Sequence, residues 1–194
     1  MVRPSQNIDK KLIELGKKQI IEKGIAGLSI RSICVDSGIN LGMFYYYFKT
    51  KENFVKVLLT GLHQDIQSHW IKESESISDP LEKLKAVLNI NVRMFKERKG
   101  VIETIMKGID LSDKFYIQIL KELHERWLKF YSDLIEDCKE SGYFDKNVDT
   151  HNYVAIFAGS VPSYLKIHHA SDLDTYYKEA GKFIDFLIEK LKNK

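Results

Sequence analysis

Apolar residues recur every three or four positions along almost the whole chain, and this spacing constrains the fold more than any other feature. It places apolar side chains on one face of a helix, whereas a half-buried strand needs strict alternation of apolar and polar residues. No stretch alternates in that way, and only three prolines interrupt 194 residues. The sequence therefore predicts an all-α protein of about nine helices. Their predicted ranges are 8–23, 29–37, 40–48, 51–75, 81–98, 101–107, 112–141, 149–168 and 172–191.

The helix boundaries follow from residue types that favour helix ends. Five positions carry side-chain oxygens that can cap a helix N-terminus: Ser29, Asn40, Thr50, Asp79 and Ser112. Pro80 suits the first helical turn, and Gly24 suits the position just after a helix end. Gly100 is predicted to separate the fifth helix from the sixth.

Composition excludes several classes of protein. With 44% hydrophobic residues the chain can bury a core, yet it contains no run of 18 apolar residues, the length that spans a membrane. Met1 to Lys11 are polar and charged where a secretion signal needs an apolar stretch. We therefore expect a cytoplasmic protein without a membrane partner.

Neither a metal site nor an enzyme is indicated. Cys34 and Cys138 lie far apart and lack CxxC spacing, so we expect two reduced, packed thiols. The GxSxG, HExxH and glycine-rich phosphate-binding motifs are missing. We predict no catalytic residue, no metal and no cofactor.

The positive charge is concentrated at the N-terminal end. Residues 1–60 carry ten Lys and Arg against five Asp and Glu, a net charge of +5, whereas residues 61–194 carry 20 against 22, a net charge of −2. This asymmetry favours a polyanionic partner for the first part and a different role for the second.

Residues 29–48 form the most informative segment. It contains two short helices joined at Ser37-Gly38-Ile39, and each is too short to be stable alone. Two such helices around a glycine turn, supported by a preceding helix, are typical of a helix-turn-helix that docks in the DNA major groove. Gly38 permits the positive φ of the turn. Ile33, Ile39 and Phe44 are expected to pack against the first helix.

The third helix has a face suited to DNA. No acidic residue occurs from Ser37 to Lys51, and a helix that lies against phosphates cannot carry carboxylates there. Thr50-Lys51 places a cap, a helix N-terminus and a cation at one point, which suits a phosphate. We expect Phe44 and Phe48 to be core residues.

This ordered set of residues resembles the DNA-binding head of TetR-like (tetracycline-repressor family) regulators over residues 8 to about 60. The matching elements are Gly16, Gly24, Leu28-Ser29-Ile30-Arg31-Ser32-Ile33-Cys34, Ser37-Gly38-Ile39 and Tyr45-Tyr46-Tyr47-Phe48-Lys49-Thr50-Lys51. The resemblance implies a helix-turn-helix DNA-binding domain over residues 1–50. A larger helical domain for ligand binding and dimerisation is expected over 51–194.

The resemblance also implies a role for each position of the head. Ser29 and Arg31, at the start of the second helix, are expected to contact the DNA backbone and also a base. The other expected DNA-binding residues are Asn40, Leu41, Gly42, Met43, Tyr45, Tyr46 and Lys51. Leu41 and Met43 replace more polar residues of the family pattern. Because apolar side chains discriminate chiefly through thymine methyl groups, we predict an operator rich in A/T.

In such regulators the helical body dimerises and binds a small molecule. The last two helices are the expected homodimer interface, with small or apolar contacts at Ala155, Ala158, Gly159, Ser160, Phe183, Phe186, Leu187 and Leu191. An apolar pocket is expected among the aromatic and polar residues of the fourth to eighth helices. Its candidate lining residues are His63, Trp70, Phe95, Tyr116, His124, Trp127, Tyr131 and Tyr164.

The resulting prediction is a homodimeric repressor that leaves its double-stranded operator DNA when a largely apolar small molecule binds the body. Two alternatives remain at this point. The body could respond to a protein partner instead of a metabolite, or it could be an enzyme for which no motif is visible.

Overall fold

A computed structural model of the chain describes residues 7–106, 108–110, 112–157 and 173–192, with the backbone alone at 95–103, 106, 173 and 174. Eight α-helices and one 3-10 turn make up the described part, which has no strand, so the predicted all-α class is confirmed. The helices are α1 (Ile8–Lys23), α2 (Ile30–Ser37), α3 (Leu41–Phe48), α4 (Lys51–Ser74), α5 (Pro80–Met106), α6 (Lys114–Glu140), α7 (described over 150–157) and α8 (Leu173–Glu189). The 3-10 turn, Ile25–Gly27, lies between α1 and α2.

Two predicted helix boundaries are wrong. Gly100 does not end a helix, because α5 continues to Met106. An interior glycine costs only about 1 kcal/mol relative to alanine, which the flanking helical turns outweigh. Asp113, not Ser112, precedes α6: its Oδ1 accepts the Phe115 N–H at 2.8 Å, while Ser112 donates to Asp110 Oδ1 at 2.7 Å.

The chain divides into two compact units. The first contains the described residues of Met1–Ile66 and Arg98–Leu123, and the second those of Gln67–Glu97 and His124–Lys194. The helices α4, α5 and α6 each contribute residues to both units. The first unit therefore contains the predicted DNA-binding head together with the start of α4 and part of α5 and α6.

The core of the first unit fixes α1 to α3 against α4. Leu12 and Ile20 of α1, Ile33 of α2 and Phe44 of α3 are fully buried with Phe54 and Leu58 of α4. A Cβ atom added to Gly16 would lie 2.6 Å from Phe54 Cζ, so the missing side chain at this position lets α1 and α4 pack closely. Each buried large apolar side chain stabilises the unit by about 1.5–3 kcal/mol.

The second unit has its own core. Its fully buried apolar side chains come from α5 to α8 and from the segments that follow α6 and α8: Leu84, Val87, Val92, Tyr131, Ile135, Cys138, Phe144, Val154, Ile184 and Leu191. Lys139 is also buried here, and its Nζ donates to Val148 O and Thr150 Oγ1, both at 2.6 Å, and to Glu136 Oε1 at 3.0 Å. This lysine holds the end of α6 to the start of α7.

Cys34 and Cys138 are free and buried, as predicted. Burial raises the pKa of both thiols, that of Cys138 to about 12, so neither is a reactive thiolate at neutral pH. No described helix is both long and apolar enough to span a membrane.

Candidate nucleic-acid interface

Two hydrogen bonds fix the N-terminus of α2. The Ser29 Oγ accepts the Ser32 N–H at 3.3 Å, which caps the helix as predicted. The Ser29 N–H in turn donates to Oε1 of the buried Gln19 on α1 at 3.0 Å. Because Gln19 lies on α1, this bond sets where α2 begins and directs Arg31 outward, where it is exposed.

The turn between α2 and α3 depends on Gly38. Its φ of 75° is left-handed, and it lets the Ile39 N–H reach Cys34 O at 3.0 Å while the Gly38 N–H donates to Val35 O at 3.1 Å. The Lys11 ammonium donates to Ser37 O at 3.0 Å, so α1 also supports the turn.

The two faces of α3 have different roles. Asn40 caps the helix, since its Oδ1 accepts the Met43 N–H at 2.9 Å. Phe44 and Phe48 are buried, as predicted, and their ring centroids lie 4.9 and 4.5 Å from that of Phe54 on α4. The opposite face is therefore held outward, and Tyr46 on it is 63% exposed.

Lys49 makes the connection from α3 to α4. Its φ of 64° is in the left-handed region, and the Thr50 N–H donates to Phe48 O at 2.7 Å across it. Thr50 Oγ1 then accepts the Asn53 N–H at 3.0 Å and caps α4, at whose first position Lys51 is exposed. This short turn places Lys51 at a helix N-terminus directly beside α3.

Lys49 is a candidate that the sequence reasoning missed. Its Nζ lies 5.3 Å from the ring centroid of Tyr46, a cation–π contact on the exposed side of α3. The available signal was a second lysine two positions before Lys51. The backbone of Lys49 is left-handed and turns its side chain toward Tyr46, but a lysine in the sequence does not predict that conformation.

All nine predicted DNA-binding residues lie in the first unit. Eight are exposed: Ser29, Arg31, Asn40, Leu41, Gly42, Tyr45, Tyr46 and Lys51. Met43 is half-buried. Asp36 is the one acidic residue between Ser29 and Lys51, and the Ser32 Oγ donates to its carboxylate at 3.4 Å.

The predicted pocket residues are distributed over both units. His63 and Tyr116 belong to the first unit, and His124, Trp127 and Tyr131 to the second. In the second unit the ring centroid of Trp127 lies 4.4 Å from that of Tyr131, and His124 stacks on Trp127 at 6.2 Å. The Phe95 side chain and Tyr164 lie outside the described residues.

The predicted dimer contacts need a correction. Leu191 is fully buried and Leu187 nearly so within the chain itself, so neither can gain burial from a second copy, and their assignment to the interface is wrong. Phe186 is 55% exposed, and Ala155 is exposed on α7. Ala158, Gly159 and Ser160 lie outside the described residues.

Comparison with known proteins agrees with this geometry. Residues 12–58 match the family model described as bacterial regulatory proteins, tetR family. The HTH-type transcriptional repressor KstR2 of Mycobacterium tuberculosis is 22% identical over 139 residues, which cover 71% of this chain and 70% of that protein.

Solved structures share the whole fold. A TetR-family regulator from Syntrophomonas wolfei is 25% identical with a TM-score of 0.72, covering 96% of this chain and 97% of that one. The FadR regulator of Bacillus subtilis in complex with stearoyl-CoA has a TM-score of 0.72 at 14% identity, covering 94% and 99%. These relatives are regulators, which confirms the prediction of a regulator and not an enzyme. Residues 12–58 therefore match the tetR family, and the chain is similar over most of its length to transcriptional regulators of that family.

Proposed function

We propose that the chain is a dimeric repressor that binds operator DNA through residues 29–51 and leaves it when a small molecule binds the helical body. The observation that carries the proposal is the arrangement of α3. This helix is capped and fixed from behind by Phe44 and Phe48, and it presents an exposed face without carboxylates beside Lys51. A second helix of this kind is the part of a helix-turn-helix that enters the major groove.

The proposed DNA contacts fall into two groups: contacts to phosphates that position the head, and contacts to bases that recognise the sequence. Tyr45 and Lys51 hold phosphates, together with Ser29 and Arg31 at the start of α2, and Lys49 adds a cation at the groove edge beside Tyr46. Leu41, Gly42 and Met43 face the base edges, with Asn40 at the start of the helix. Phosphate contacts set the register, whereas base contacts carry the sequence information.

Base reading is mainly apolar. Leu41 is 40% exposed and precedes Gly42, which brings the backbone close to the bases. An apolar contact recognises the thymine methyl group, so the operator is rich in A/T at the bases beneath α3. The dimer reads two half-sites about one helical turn, or a multiple of it, apart.

The dimer forms through α7 and α8. Ile156 on α7 and Phe186 on α8 are 48% and 55% exposed, which supports burial of these side chains by a second copy. Operator binding places the protein with the chromosome in the cytoplasm. No feature of the described residues favours the alternative of control by a protein partner.

The effector is a largely apolar small molecule. Support comes from the aromatic side chains of the second unit and from the B. subtilis regulator of the same fold, which binds stearoyl-CoA. Its binding shifts the dimer toward a head spacing that no longer fits the operator, which requires different effector affinities for the two states.

Operator binding measured across a salt series tests the docking. Lys51→Ala is expected to reduce the slope of log K against log salt by about 2, since each phosphate contact contributes about 0.9 and the dimer has two heads. Tyr45→Phe removes a neutral donor and is expected to weaken binding without changing the slope.

Lys72→Ala is the matched control, because Lys72 is an exposed lysine near the end of the same helix, α4, in the second unit. It is expected to leave both affinity and slope unchanged. Equal slopes for Lys51→Ala and Lys72→Ala would refute the phosphate contact at the start of α4. An unchanged affinity for the Lys51→Ala, Tyr45→Ala double variant would refute the docking as a whole.

A further inference from the structure

Four aromatic rings of the second unit contact one another. Trp70 comes from α4, and Trp127, Phe130 and Tyr131 come from α6. The Trp70 centroid lies 5.8 Å from that of Phe130 and 6.1 Å from that of Tyr131, and Trp127 lies 4.4 Å from Tyr131. We call these four residues the aromatic cluster.

Two polar atoms of the aromatic cluster are buried without a partner among the described residues. They are Trp70 Nε1 and Tyr131 Oη, on side chains that are 4% and 0% exposed. Nearly all buried polar groups of native proteins have a hydrogen-bond partner, because an unpaired one keeps the full cost of its desolvation. Two of them in one contiguous cluster indicate a site for a polar group of a ligand.

No charged side chain of the described residues bonds to Trp70 Nε1 or Tyr131 Oη, since both atoms lack a hydrogen-bond partner there. Burial raises the pKa of the Tyr131 hydroxyl, which therefore stays a neutral donor. An anionic ligand group would be costly to bury there, since a buried charge needs an opposite charge. The indole N–H only donates, so the ligand atom that it contacts must be an acceptor. A neutral oxygen satisfies both conditions.

The aromatic cluster also connects this buried point with the surface of the second unit. Trp127 is half-buried, and the exposed His124 stacks on it at 6.2 Å with an interplanar angle of 10°. Phe130 is likewise half-buried. The rings therefore offer apolar surface from an exposed end to the two unpaired polar atoms.

We propose that the aromatic cluster binds the neutral carbonyl end of a largely apolar molecule. The carbonyl oxygen of a ketone, ester or thioester accepts hydrogen bonds from Trp70 Nε1 and Tyr131 Oη, and the rings cover the adjoining hydrocarbon. This binding site does not depend on the proposed function. The further statement that the bound molecule is the effector rests on the proposed function.

The test compares 2-decanone with decanoate on the full-length protein without DNA. Both tryptophans of the chain belong to the aromatic cluster, so their fluorescence reports binding at this site directly. We expect a saturable change with 2-decanone and affinity at least about tenfold lower for decanoate, whose charge must be desolvated.

Single-ring variants then assign the polar atoms. Tyr131→Phe and Trp70→Phe keep an aromatic ring but lose the donor, and each is expected to lower the calorimetric affinity for 2-decanone about fivefold, as for one lost hydrogen bond. Tyr177→Phe, on the partly exposed Tyr177 of α8, is the control and is expected to change nothing. Circular dichroism verifies that each variant is folded.

Equal affinity for the ketone and the carboxylate would overturn the proposal, as would ketone binding that Tyr131→Phe and Trp70→Phe leave at the level of Tyr177→Phe. If Tyr131→Phe does not fold, Trp70→Phe decides by itself. A ketone that binds as expected but does not release operator DNA would leave this site standing and would refute the effector role of the proposed function.

Discussion

At the scale of single residues, Gly108 and Gly142 share a left-handed backbone, with φ of 86° and 79°. Their surroundings differ. A Cβ atom at Gly108 would lie 2.6 Å from Ala26 Cβ and 2.7 Å from Ala26 N, whereas one at Gly142 would meet nothing within 4 Å. Gly108 therefore lets the loop after α5 pack directly on the 3-10 turn that precedes α2.

Gly108→Ala is expected to destabilise the protein more than Gly142→Ala. Both variants add left-handed strain of about 1–2 kcal/mol. Only Gly108→Ala also forces backbone apart at Ala26, which adds about 1–3 kcal/mol. Urea unfolding of the two variants measures the difference, and equal losses would contradict the close packing at Ala26.

At the scale of helices, two ion pairs on α6 differ in exposure: Lys139 with Glu136, and Lys129 with Asp133. The Lys139 side chain is 9% exposed and also holds Val148 O and Thr150 Oγ1, whereas the Lys129–Asp133 pair is 76% and 61% exposed. Water competes for both members of the second pair, whereas in the first pair it reaches the Glu136 carboxylate, which is 51% exposed, but hardly the ammonium. Only the first is therefore expected to stabilise the fold.

Lys139→Met is expected to cost about 1–3 kcal/mol, because the part-buried acceptors Val148 O, before α7, and Thr150 Oγ1, at its start, lose their donor. Lys129→Met is expected to cost less than about 0.5 kcal/mol, as exposed pairs generally do. Urea unfolding followed by circular dichroism compares the two. If Lys139→Met leaves the free energy of unfolding unchanged, water replaces the ammonium and Lys139 does not fix α7.

At the scale of the whole molecule, several carboxylates of the second unit have lowered pKa values. Hydrogen bonds from Arg93 lower that of Glu73, one from Tyr143 lowers that of Asp79, and one from Thr150 lowers that of Glu136. A lowered pKa stabilises the fold above the ordinary value of 3.8 for Asp or 4.5 for Glu. That stability is lost as the pH falls through the lowered value. The free energy of unfolding should therefore decline below about pH 4.5.

Tyr143→Phe isolates one of these groups. The variant is expected to be less stable than the parent above about pH 5, where Asp79 is ionised, and to approach it as the pH falls below the ordinary value of 3.8 and Asp79 becomes protonated. Urea unfolding at a series of pH values measures this convergence. Tyr153→Phe, which loses a bond to the Lys190 carbonyl at 3.2 Å, is the control, and its deficit should not change with pH. A constant deficit for Tyr143→Phe would contradict the linkage.

Phe186→Glu tests the proposed interface of α7 and α8. A glutamate there must lose its hydration in the dimer, so we expect a monomer of 22.6 kDa in sedimentation. Ile117→Glu, at a similarly exposed apolar residue of α6, is expected to remain a dimer. If Phe186→Glu remains dimeric and Ile117→Glu does not, the interface lies elsewhere.

The sequence alone determined where most helices begin and end, because capping acts over three or four residues. Ser29, Asn40, Thr50 and Asp79 cap the helices expected of them, and Gly38 turns the chain between α2 and α3. The two errors have the same local origin. A weak local preference at Gly100 was overruled by the helix on both sides, and Asp113 competed with Ser112 one residue away.

Tertiary packing separates the apolar residues of the core from those of the surface, because burial depends on contacts between residues far apart in sequence. Leu187 on α8 and Leu191 just after it are large apolar residues like Phe186, yet packing buries the two leucines and leaves the phenylalanine exposed. The buried, unpaired state of Trp70 Nε1 and Tyr131 Oη arises in the same way. The left-handed backbone of Lys49 also results from tertiary packing. The contact between the Phe48 and Phe54 rings on either side fixes a turn that a lysine does not favour by itself.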